Sequence, residues 1–176
     1  MDTSYQTLLN SLTDIKLVIV GKDPFPTDAI GIPFCKPNWA EQLKSNSSGF
    51  HVLNSLGVIS EDIEKIHPHP IDCFYHLANN GIVFLNLSYE FIGGKLKKVE
   101  HIVQRQQAFE INRPIMEIAE RIILCGEANK NRWNNFEHPN IVEVVHPDNR
   151  NRTSRFEDVR NKWDMNWSRD AIKRTI

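Results

Sequence analysis

The chain has 176 residues, 40% of them apolar, with a formal net charge of −1 and a mean hydropathy of −0.42. That length and apolar content suit one domain, expected to span residues 1–176, with a sizeable core. No apolar run approaches the roughly 20 residues of a membrane span, the opening MDTSYQTLLN lacks the basic start and apolar stretch of a signal peptide, and a charge near zero does not announce a nucleic-acid partner, so a cytoplasmic protein with no membrane association is the expectation.

In chain order, a helical pattern over 5–12 leads to an apolar run at Leu17–Val20. Helical patterns over 48–56 and 71–79 precede a second run, Ile82–Leu85. A long helix over 99–119, with Pro114 as a kink or break, precedes the third run, Ile122–Leu124. A helix over 127–133 leads to the fourth, Ile141–Val145, and one over 155–163 follows it. The four runs are rich in Ile, Val and Leu and too short for helices, so they read as buried strands. Strands alternating with helices predict an α/β fold: a four-stranded parallel sheet inside a three-layer α/β/α sandwich.

Ligands of open α/β sheets bind outside the carboxyl ends of the strands. The first run ends in Gly21-Lys22-Asp23-Pro24, the second in Asn86, the third in Cys125-Gly126-Glu127 and the fourth in His146-Pro147-Asp148. A carboxylate, an amide and an imidazole therefore meet at one rim. Asp23, between a glycine and a proline, could orient a water or stabilise a developing positive charge; the plainer reading is a turn-capping aspartate. Asn86 could offer a donor and an acceptor to a ligand edge, or only satisfy backbone in a turn. His146 could hydrogen-bond an anionic leaving group, or serve as a structural histidine. Phe34 is either core or a stacking platform. Lys22 follows a glycine, but the phosphate-loop pattern is absent.

Other features are weaker. His67, His69, Cys73 and His76 hold metal-ligand side chains, but at a spacing that matches no known metal pattern. Cys35, Cys73 and Cys125 are too scattered for a disulfide framework and read as reduced, partly buried thiols. Through Gly94, acidic residues outnumber basic ones ten to five; from Lys95 on, basic residues lead sixteen to twelve. Arg150, Arg152, Arg155 and Arg160 form a local basic stretch, which either meets phosphates or is a solvated helix start.

Taken together, these segments resemble the uracil-DNA glycosylase superfamily, closest to the classical family-1 type, over residues 15–165 or so. GKDPFP at Gly21–Pro26 is similar to that family's GQDPYH water-activating loop, and AIGIPFC supplies its glycine and phenylalanine as Gly31 and Phe34. SGFHVLNSL places Ser48 where the family has a phosphate-pinching serine. GIVFLN resembles the uracil-reading strand, ILCGEANK a glycine-containing segment, and HPDNRN the HPSPLS loop. The resemblance implies a glycosylase that flips the target nucleotide out of DNA and hydrolyses its N-glycosidic bond without metal or organic cofactor. Asp23 and His146 would be catalytic. Lys22, Phe25, Phe34 and Asn86 would hold the base: Phe34 stacks on it, and Asn86 reads its pairing edge and rejects cytosine. Ser48, Arg150 and Arg152 would contact DNA, single- or double-stranded, with the protein acting as a monomer.

The departures from the pattern are specific. Phe25 stands where the family has the tyrosine that excludes the thymine methyl, Pro26 replaces a histidine, and Lys22 replaces a glutamine. Asp148-Asn149-Arg150 replaces Ser-Pro-Leu, which puts a negative charge toward phosphates and an arginine where a leucine wedge would enter the duplex. Two rival readings follow: a catalytically inactive module that binds nucleic acid or protein, and a hydrolase of small-molecule nucleosides.

Overall fold

The computed structural model describes residues 1–91, 98–126, 128, 136–144, 146 and 147, with the side chains of 98–101 excepted. Four short apolar segments form the sheet: β1 (Leu17–Gly21), β2 (Ile82–Asn86), β3 (Ile122–Cys125) and β4 (Ile141–Val144). All pairings are parallel, in the order β2-β1-β3-β4. Every residue of β1, β2 and β3 is buried, so both faces of those strands are covered, as uninterrupted apolar runs require. The fold is the expected four-stranded parallel α/β sheet covered by helices.

Chain order and sheet order differ at β1: the chain leaves it to one side for β2 and later returns to its other side for β3. This places a switch point at the carboxyl ends of β1 and β3. The register sets Gly21 opposite Asn86 and Cys125 opposite Val144, which brings the ends of all four strands to one rim.

Six helices are described: α1 (Thr3–Ser11), α2 (Trp39–Gln42), α3 (Ser48–Ser55), α4 (Ile63–Ile66), α5 (Pro70–Asn79) and α6 (Lys98–Glu117). Asp2 caps α1 by accepting from the Tyr5 amide at 2.9 Å. The buried Tyr5 hydroxyl then accepts from the Phe84 amide at 3.1 Å, which pairs a donor on the edge strand β2 that β1 does not reach. Burial pushes the Tyr5 hydroxyl far above the ordinary tyrosine range. Tyr5 meets Tyr75 edge-to-face, and Phe34, Phe84 and Phe74 form a run of ring contacts, with Phe74 and Phe84 at 4.7 Å between centroids.

Of the kink or break expected at Pro114, the break is absent: α6 continues past it as one helix. Pro114 is exposed, so the carbonyl it leaves unpaired can turn to water at small cost. α2 and α4 are single turns that periodicity does not announce; α2 is capped by Asn38, which accepts from the Glu41 amide at 2.9 Å. The expected helices over 127–133 and 155–163 lie outside the described residues, Ala128 apart. Among the described residues no helix is long and apolar enough to cross a membrane.

Candidate functional site

A cleft of about 1140 Å³ opens at the carboxyl rim of the sheet. Its lining includes Lys22, Asp23 and Phe25 from the loop after β1, Phe34 from the same connection, Ser48 at the start of α3, Asn86 at the end of β2, and His146 just after β4. All seven described candidates thus border one cavity. Its volume lies just above the usual range of small-ligand sites, about 300 to 1,000 Å³. Arg150 and Arg152 lie outside the described residues.

The β1 loop starts at Gly21, where any side chain would press on two cleft residues. A Cβ on Gly21 would sit 2.7 Å from Asn86 Oδ1 and 3.0 Å from Phe34 Cζ. The bare backbone lets the Asn86 amide and the Phe34 ring close onto the strand end. Beyond the strands the pairing continues: the Leu87 and Ser88 amides donate to the Gly21 and Lys22 carbonyls at 2.9 and 3.0 Å. That fixes the backbone entering Asp23 directly beside Asn86.

Phe34 has φ +65°, a left-handed conformation that costs a bulky residue of order 1–3 kcal/mol. Three features hold it there. Its carbonyl accepts from Gln42 Nε2 at 3.2 Å, and Gln42 Oε1 accepts from the Lys36 amide at 2.7 Å, so one fully buried amide bridges both sides of the bend. Gly49 in α3 carries no side chain where the Phe34 carbonyl passes. The ring meets Phe84 edge-to-face at 6.4 Å. Phe34 is thus both core, at 7% exposure, and cleft wall.

Phe25 lines the cleft with the Lys36 ammonium 3.8 Å from its ring centroid, a cation–π contact. Ser48 is the first residue of α3, one place after the cap Ser47, whose hydroxyl accepts from the Phe50 amide at 3.4 Å. His146 is set by Gly126, which has φ +59° and whose Cβ would meet His146 Cβ at 2.5 Å; the Gly126 amide also donates to the Val144 carbonyl at 2.8 Å.

Three positions escape the sequence reading. Tyr89 lines the cleft and donates its hydroxyl to Asn112 Oδ1 at 2.6 Å, while Asn112 Nδ2 donates to the Asn86 carbonyl at 2.8 Å. Burial drives the Tyr89 hydroxyl well above its ordinary range. Gln42 is the third. Asn112 did leave a signal: it lies on the α6 stripe shared with the buried Ala108, Ile115 and Met116, a polar residue at a core position. Six polar residues are buried among those described: Gln42, Ser47, Ser48, Asn86, Ser88 and Asn112. Each lines the cleft or makes a hydrogen bond, through side chain or backbone, that shapes one of its walls.

The histidine segment is built differently. Asp72 accepts from the His69 amide at 3.0 Å at the start of α5, Cys73 is buried, and the His67 and His76 rings pack at 5.2 Å. Among the described residues no three His, Cys, Asp or Glu side chains converge as metal ligands.

One solved structure settles the fold comparison: the wild-type UNG crystal structure from Nitratifractor salsuginis, matched at a TM-score of 0.55 over 92% of this chain and 75% of that one. The chain shares the fold of a uracil-DNA glycosylase. Sequence identity to that structure is 14%, so the likeness is one of fold. No protein-family model and no curated protein matches the sequence.

Proposed function

We propose that the protein is a DNA glycosylase that hydrolyses the N-glycosidic bond of uracil, or of a related damaged base, in DNA. The observation that carries this reading is the meeting of Asp23, Asn86, His146, Phe25 and Phe34 around one cleft at the sheet's carboxyl rim. The shared fold supports it.

In this reading a flipped base lies on Phe34 and against Phe25. Asn86 pairs with adjacent carbonyl and N–H groups on the base edge; cytosine presents the reversed pattern and leaves buried partners unsatisfied, which costs far more than a shape mismatch. Bond cleavage leaves negative charge on the departing base, where His146 donates a hydrogen bond. It leaves positive charge on the sugar, which Asp23 stabilises while positioning the attacking water. The bond that breaks is C1′–N, the one that forms is C1′–O, and the water's proton is released as the base leaves. Ser48 contacts a backbone phosphate at the start of α3, and Lys22 adds positive charge to the rim. Arg150 and Arg152 extend that DNA contact in the proposal.

Asp23→Asn separates this reading from an inactive binding module. Removing the charge should lower the rate of base release by orders of magnitude with little change in the Kd for DNA. Equal rates in wild type and mutant would refute the role of Asp23. Tight DNA binding with no release from either protein would favour the inactive module.

A further inference from the structure

We propose that Asn112, a residue of α6 outside the cleft, is a positioning residue for base reading: it clamps Asn86 and Tyr89 together and so sets the polar edge the ligand meets. The inference rests on the glycosylase reading for its kinetics, though not for its geometry.

Hydrogen-bond chemistry alone orients the clamp. The Asn86 carbonyl can only accept, so the Asn112 amide nitrogen must face it, at 2.8 Å. Asn112 Oδ1 is then left to accept, so the Tyr89 hydroxyl must donate, at 2.6 Å. That commits the Tyr89 proton away from the cleft. Toward a ligand, Tyr89 therefore has no hydroxyl proton left to donate.

Asn112 is fully buried, on a stripe of α6 whose other buried members are Ala108, Ile115 and Met116. Burying an amide is costly unless it is paired, and an apolar residue would suit that stripe without needing partners. Both partners of Asn112 belong to residues that line the cleft. On the opposite side, Gly21 leaves just enough space for Asn86 Oδ1. Asn86 is therefore gripped from two sides: by Asn112 through its backbone and by Gly21 and Phe34 at its side chain.

The test compares the whole protein with Asn112→Leu, Asn112→Asp and Tyr89→Phe, using Ile118→Ala, at an exposed position one residue past α6, as a control. Asn112→Asp keeps the acceptor for Tyr89 and sets a carboxylate against the Asn86 carbonyl. Tyr89→Phe removes the hydroxyl without altering Asn112 and covers the case in which an Asn112 variant does not fold. Two readouts are taken: the side-chain amide resonances of Asn86 without ligand, and kcat/KM on uracil- and cytosine-containing single strands. The expected result is a moved Asn86 resonance in the clamp variants but not in Ile118→Ala. With it should come a ten- to hundredfold fall in kcat/KM on uracil, on the scale of about 1 Å misplacements in active sites, and a smaller uracil-to-cytosine ratio. An Asn86 resonance unchanged in all folded clamp variants overturns the inference whatever the activity, as does an unchanged uracil-to-cytosine ratio in an active variant. Moved resonances in a protein that releases no base would support the clamp and refute the glycosylase reading.

Discussion

Gly21→Ala is the sharpest test of how the cleft is assembled. The new methyl carbon would lie 2.7 Å from Asn86 Oδ1, and ordinary contact begins at 3.4 Å, so the amide oxygen must retreat by about 0.7 Å. The Phe34 ring, at 3.0 Å, must give by a few tenths of an ångström. Because the closest atom is the end of a rotatable side chain, stability should fall only by an overpacking cost of about 1–3 kcal/mol. For a chain of this size each kcal/mol lowers Tm by roughly 2–4 °C. Function should suffer more, because the displaced atom is the one proposed to read the base: misplacement by about 1 Å can cost on the order of a hundredfold. The assay pairs thermal unfolding with kcat/KM for uracil release from a single-stranded oligonucleotide. A folded Gly21→Ala protein with wild-type kcat/KM would refute the reasoning, since Asn86 could not then read the base from the position it occupies.

Four further outcomes follow from the packing and electrostatics. Gly49→Ala would drive a methyl into the Phe34 carbonyl and Gln42 Nε2; backbone at a strained bend cannot retreat cheaply, so a loss of about 3 kcal/mol in urea unfolding is expected, and a loss below about 0.5 kcal/mol would show that α3 does not brace the Phe34 bend. Lys36→Met removes the cation over Phe25, a contact of about 0.5–2 kcal/mol, and should weaken rejection of thymine a fewfold to about thirtyfold; an unchanged uracil-to-thymine ratio of kcat/KM would show that the Phe25 ring is fixed by other contacts. Burial raises the thiols of Cys35, Cys73 and Cys125, Cys73 to about 12, so they should resist alkylation at pH 8 until the protein unfolds, and rapid native labelling would contradict their burial. The same shifts set the sign of an alkaline effect. The unfolded thiols ionise near 8.5 while the folded ones stay neutral, so their stabilisation is complete below that pH. It is lost as pH rises toward the folded values, and urea midpoints measured from pH 8 to 11 should fall.

The strands were legible because a parallel sheet covered on both faces needs uninterrupted apolar runs, and Leu17–Val20, Ile82–Leu85 and Ile122–Leu124 are such runs. The cleft was legible for a related reason. Ligands gather at strand ends in this architecture, and the polar side chains of Asp23, Asn86 and His146 sit at or just after those ends. What supports those residues was not legible. Gln42 braces Phe34 from eight residues away, and Asn112 reaches Asn86 across 26 positions. Such contacts depend on where α2 and α6 dock, which no local pattern specifies. Phe34's left-handed backbone is hidden for the same reason: nothing in the residue type favours it, and only the buried Gln42 and the bare Gly49 hold it there.

The central claim is that this cleft cuts an N-glycosidic bond. Its most direct test is release of free base from uracil-containing single- and double-stranded oligonucleotides, with Asp23→Asn alongside. The account predicts abasic sites with the wild-type protein and almost none with the mutant. A soluble, folded wild-type protein that releases no base from either strand form would contradict it.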